Sequence, residues 1–205
     1  CIMTDENPQP TPYRPERMLD AGALRALAHP LRVQIYDILS QYGPQTASTL
    51  ASMTGESSGS TSYHLRALAK HDLIREVDDR GTGRERWWER PKGGISFTNP
   101  EAMRTPAGKA ATQVVMSEFL TRRHQQLMRY MATSLANPDA LEGEEAMIST
   151  ATLRLTHEQV IELISRLQQV IDEFNTNYRD QKREGLRPIS IRTDVFPLPE
   201  GAGAS

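Results

Sequence analysis

The sequence predicts an α+β chain, mostly α, and three patterns lead there. Residues 24–68 repeat apolar side chains at helical spacing between helix-stop and helix-start signals, and residues 73–91 read as a glycine-tipped hairpin. The second half sets one very long helix before a small βαβ unit. The expected division is an arm at residues 1–16, a compact domain at 17–92, a linker at 93–105, a C-terminal region at 106–198 and a tail at 199–205.

The arm holds four prolines and almost no apolar groups between residues 4 and 16, so it cannot bury enough surface to fold alone. Leu24, Leu27, Leu31, Ile35, Ile38 and Leu39 then keep helical spacing, interrupted at His29-Pro30, where proline suits the first turn of a new helix and His29 its cap. Two helices are expected there. A third, short one runs from Thr46 as cap through Leu50 and Met53, and Gly55 suits the left-handed position that ends it. Ser57 or Ser58 can cap the next helix, which puts Thr61, Leu65 and Leu68 on one side and Gly59, Tyr63, Arg66 and Lys70 on the other. The hairpin flanks residues 79–84, a tip rich in glycine and arginine, and Trp87 and Trp88 alternate across its second strand, so one is expected to point inward.

Helix, helix, short helix, turn, helix and basic hairpin together make a winged helix-turn-helix. The outward face of the last helix is suited to phosphates and bases, since arginine can grip guanine with two hydrogen bonds. The expected DNA contacts on that helix are Ser57, Ser58, Gly59, Ser60, Ser62, Tyr63, Arg66 and Lys70, with Arg80, Arg84 and Arg86 on the wing. The net charge of -2 looks unfavourable until residues 57–92 are counted alone, where eight Lys and Arg against six Asp and Glu give 8 - 6 = +2. A winged-helix protein-interaction module without specific DNA readout is the alternative.

Three pieces resemble the ArsR-like winged helix-turn-helix repressors: Ala-Leu-Ala-His-Pro-Leu-Arg at 26–32, Ser-Tyr-His-Leu-Arg-Ala-Leu at 62–68 and Gly-Arg-Glu-Arg-Trp-Trp at 83–88. Their order and spacing cover about the first half of the chain. The resemblance implies a homodimeric bacterial transcription regulator, a repressor that reads a near-palindromic operator in double-stranded DNA.

With 38% hydrophobic and 24% charged residues, the chain can bury one sizeable core or two modest ones. It has neither an apolar run of membrane-spanning length nor a secretory-type N-terminus, and Cys1 alone cannot form an internal disulfide, so a cytoplasmic protein is expected, without membrane partners.

Residues 106–135 form the long helix, whose stripe of Val115, Phe119, Leu120, Leu127 and Met131 is longer than a small domain can cover. A second subunit is expected to cover it, with those residues as the dimer seam, and a chain cut near Thr98 is expected to keep a folded, monomeric winged helix. Beyond it, residues 147–155 alternate with period two, Thr156 and Gln159 make a capping box for a helix through Tyr178, and residues 189–195 alternate again. This small unit leaves room for an unknown small-molecule effector.

No metal site and no cofactor are expected. The third-helix segment carries no cysteine, and His124 has only Glu118, six residues before it, in place of a ligand at helical spacing. The chain also lacks a phosphate-cradling glycine loop and a nucleophile elbow, so it is not expected to be an enzyme.

Overall fold

The computed structural model describes residues 17–78, 80, 85–137, 145–178, 181 and 184–198. They divide into two units, residues 15–147 and the residues from Ile148 onward. The fold is mostly helical with two small sheets.

In the larger unit the helices α1 (Ala21–Leu27), α2 (Pro30–Tyr42), α3 (Ala47–Thr54) and α4 (Ser58–Ala69) lie where the sequence put them. Each start has a chemical cause. Asp20 accepts from the Ala23 amide at 2.7 Å, a bond that holds its carboxyl below the ordinary value. His29 accepts from Leu31 ahead of Pro30, Thr46 and Thr49 form a capping box, and Ser57 accepts from Ser60 at 3.1 Å. Gly55 ends α3 at φ +74, a conformation that strains any residue with a Cβ. The wing pairs β3 (Arg75–Val77) with β4 (Trp87–Glu89) antiparallel, and β2 (Gln45–Thr46) adds a third strand on the other side of β4. Trp88 is the inward tryptophan of the pair.

Residues 93–105, expected to be a linker, are structured. β5 (Ile95–Ser96) lies parallel to β1 (Arg17–Met18), and Asn99 Nδ2 donates to the Leu19 carbonyl at 3.0 Å. Phe97 packs on Phe119 with ring centroids 4.5 Å apart, and Ala102 is buried. Glycine and proline mark this stretch as irregular, but Ile95, Phe97 and Ala102 hold it against the core.

The helix α5 (Pro106–Ala136) is as long as expected, and its assignment needs a correction. Val115 and Phe119, expected at a seam between subunits, are buried in their own chain with Ala111 and Thr112. The reason is that the first four turns of α5 pack on α1 and α2, so that Ala111, Val115 and Phe119 join the same buried cluster as Leu24, Val33 and Tyr36. Phe119 meets the Tyr36 ring edge-on at 6.3 Å. The contact continues in polar form, with Arg122 paired to Asp37 at 3.4 Å and Gln126 bonded to Gln41 at 3.5 Å. The helix enters its groove closely: a Cβ at Gly108 would lie 1.9 Å from the Ala102 carbonyl oxygen. Leu120, Met128 and Leu135 remain exposed, Met131 borders on exposure and Leu127 is half-buried.

The smaller unit contains α6 (His157–Tyr178), capped by the expected exchange between Thr156 and Gln159. The two flanking strands of the expected βαβ unit are not formed: residues 147–155 and 189–195 carry no ladder. Two strands separated by a helix gain too little from each other alone, and Leu153, Ile189 and Ile191 stay exposed on their apolar faces. No described residue of this unit is buried.

Candidate nucleic-acid interface

The geometry of the site begins with what α4 buries. Thr61, His64, Leu65 and Leu68 face the core, and Leu65 and Leu68 are fully enclosed. Rotation about the helix axis is thereby fixed, and Ser58, Gly59, Tyr63, Arg66 and Lys70 are turned to solvent. Ser60 and Ser62 are half-buried on the flanks, and Ser57 is exposed at the cap. Among the described residues no ion pair engages Arg66 or Lys70. Tyr63 is 59% exposed with its ring edge-on to His64 at 5.2 Å, so its hydroxyl end is free to reach outward from a fixed base.

Three oriented features meet at the start of this helix. Its first amides carry partial positive charge, the serines around them are hydrogen-bonding groups on short stems, and α3 backs the turn without covering it. Such a surface suits an anionic backbone at the helix start and base edges along the helix.

The expected wing residues have three different placements. The Arg80 guanidinium lies over the Trp87 ring at 4.2 Å, a stack that stiffens a long side chain. Arg86 pairs with Glu76 at 3.5 Å across the strands, an exposed contact that a stronger anion could displace. Arg84 and the tip at 81–84 lie outside the described residues. Arg75, which the sequence did not single out, pairs with Glu89 at 2.6 Å along the ladder.

A second missed residue lies behind α4. Arg32 Nε donates to His64 Nδ1 at 3.2 Å, and its Nη1 donates to the Ala26 carbonyl. His29 stacks at a tilt against His64 with centroids 4.6 Å apart. Burial pushes the His64 imidazole below its ordinary value, His29 and Arg32 act in the same direction, and Glu56 opposes them. Only the neighbourhood of Arg32 to His29 and Pro30 hinted at this in the sequence, because the partner on α4 is 32 residues away.

Among the described residues, no three His, Cys, Asp or Glu side chains gather so as to hold a metal ion. His124 is exposed on α5. No described helix is long and apolar enough to cross a membrane.

Residues 27–77 match a family model described as a helix-turn-helix domain, a span running from the end of α1 through β3. The match supports DNA-binding transcription regulation as the broad role of this part of the chain. No curated protein matches the chain.

Proposed function

We infer that the chain is a transcription regulator that reads duplex DNA with α4 and steadies it with the wing. The observation that carries this is the division of α4: its apolar side is locked into a core while Tyr63, Arg66 and Lys70 stand outward beside a helix start lined with serines. In the major groove, Arg66 would grip a guanine edge and Tyr63 a neighbouring base or phosphate. Lys70 and the group Ser57, Ser58 and Ser60 would hold phosphates, with Gly59 and Ser62 allowing close approach. Arg80, Arg84 and Arg86 would follow the backbone or the minor groove from the wing.

The finer assignment is an ArsR-like homodimeric repressor on a near-palindromic operator. It is supported by the three sequence pieces at 26–32, 62–68 and 83–88, and by a second apolar stripe on α5 at Leu120, Leu127 and Met131. Selection of bound sequences from a random duplex pool tests the whole proposal. An inverted repeat with half-sites one helical turn apart is the expected product; a pool that emerges without any enriched sequence would leave a protein-interaction module as the better description.

Two substitutions test the contacts separately. Arg66→Ala should weaken binding to the best site by about 1 to 3 kcal/mol and relax the preference at one base position. Equal weakening on every duplex would place Arg66 on phosphate alone. Arg84→Ala should lower the slope of log affinity against log salt by about one unit and leave base preference intact. An unaltered slope would take the wing tip out of the interface.

A further inference from the structure

Arg32 and His64 form a polar brace within an apolar junction. Arg32, in the first turn of α2, reaches the Ala26 carbonyl near the end of α1 with one nitrogen and His64 Nδ1 on α4 with another. One side chain therefore ties three helices together. His64 is 8% exposed and sits next to Tyr63, on the boundary between the buried and outward sides of α4. Apolar packing alone tolerates small rotations of a helix, whereas a directional hydrogen bond in a buried setting specifies one.

The bond carries a condition. Nδ1 can accept only without a proton, so His64 must be neutral with its hydrogen on Nε2. Arg32 stays charged throughout. A proton on His64 would replace the 3.2 Å attraction with two like charges. His29 lies against His64, with the ring centroids 4.6 Å apart and its own Nδ1 accepting from the Leu31 amide at 3.2 Å. The groups facing His64 are thus His29 and Arg32 at the start of α2, Tyr63 on α4 and Glu56 in the turn before α4, of which only the Glu56 carboxylate favours the proton.

We propose that Arg32 and His64 are positioning residues for duplex reading, holding α4 in its reading pose only while His64 is neutral, so that acidification releases DNA. This rests on the function inferred above. The direction of the linkage follows from the sign of the His64 shift. With the folded value lowered, the unfolded chain takes the proton first. Stability from the brace is therefore present above about 6.5, the ordinary imidazole value, and is lost as the pH falls through the lowered one. A bare charge effect runs the other way, because positive charge added near DNA strengthens binding.

The test measures affinity for the duplex selected from the random pool, and for unselected random duplex, at about pH 7.5 and about pH 5.5, with the imidazole resonances of His64 followed by NMR across the same range. The wild type should lose about tenfold in affinity for the selected duplex on acidification, the scale of one hydrogen bond to a charged group. His64→Asn, whose amide oxygen can accept in place of Nδ1 but cannot titrate, should bind with the same affinity at both values. In Arg32→Gln the His64 resonances should titrate at higher pH than in the wild type. A pH dependence equal in the wild type and His64→Asn would overturn the proposal, as would tighter binding in acid or a midpoint that ignores Arg32→Gln. If no variant binds either duplex at any pH, the DNA-reading function falls, while the NMR midpoints still decide whether the brace itself exists.

Discussion

Phe119→Ala is expected to destabilise the larger unit by about 3 to 5 kcal/mol, the range for a buried phenylalanine whose site cannot collapse around the void. Its ring joins three segments distant in sequence, packing on Phe97 in the strand region after the wing, on Tyr36 in α2 and among α5's own buried residues. Aromatic pairs of this kind add about 0.5 to 1.5 kcal/mol beyond the area they bury, and both would be lost. Urea unfolding reads the change directly as a lower midpoint at an unaltered slope. Leu127→Ala, two turns further along and only half-buried, is the comparison and should fall within about 1 kcal/mol of the wild type. If the two variants unfolded alike, α5 would not belong to the winged-helix core. The same packing changes what a cut near Thr98 does. Such a chain would leave Leu19, Ala23 and Leu24 without their cover and should lose cooperative unfolding instead of surviving as a small monomer.

The second large effect is expected from the other side of α5. At 100° per residue, Leu120, Leu127 and Met131 lie roughly a third of a turn round from Val115 and Phe119. The helix has 31 residues, and beyond the Gln126–Gln41 contact it carries Met128, Met131 and Leu135 exposed to solvent. Placing glutamate at both Leu120 and Leu127 should turn a dimer into monomers in sedimentation, because charges at an apolar seam would have to be buried unpaired. Binding to an operator with two half-sites should then drop by about a hundredfold or more, as the second half-site no longer binds intramolecularly. The midpoint of thermal unfolding should fall only by the contribution of association and cease to depend on protein concentration, since neither side chain is enclosed in its own chain. A double variant that still sediments as a dimer would move the seam elsewhere.

The local chemistry of the winged helix was legible because each signal acts within a few residues. His29 before Pro30, Thr46, Gly55 and Ser57 each satisfy or release a nearby backbone group, so their meaning survives without tertiary knowledge. Thr61, Leu65 and Leu68 fixed the rotation of α4 for the same reason. The division of α5 was not legible. Val115 and Leu120 are both apolar and lie on different sides of the helix, and only the packing of α1 and α2 decides which side is enclosed. Nor could two-residue strands at Arg17–Met18 and Ile95–Ser96 announce themselves, being too short for any period to appear. In residues 147–155 the period was present without the consequence, since alternation describes a face and a ladder needs a neighbour. The Arg32–His64 bond left no pattern because it joins single residues of different helices.

The pairing of β1 with β5 also sets an order of events during synthesis. Leu19 meets Asn99 across 80 residues of chain, and α1 finds its cover only when α5 has emerged. A nascent chain that has released α2, α3 and α4 therefore holds α4 with half a core behind it. Loop closure over that span is slow compared with helix formation, and the apolar surface of α1 stays open meanwhile. Until α5 follows α1 out of the ribosome, the chain exposes apolar surface that favours aggregation and proteolysis.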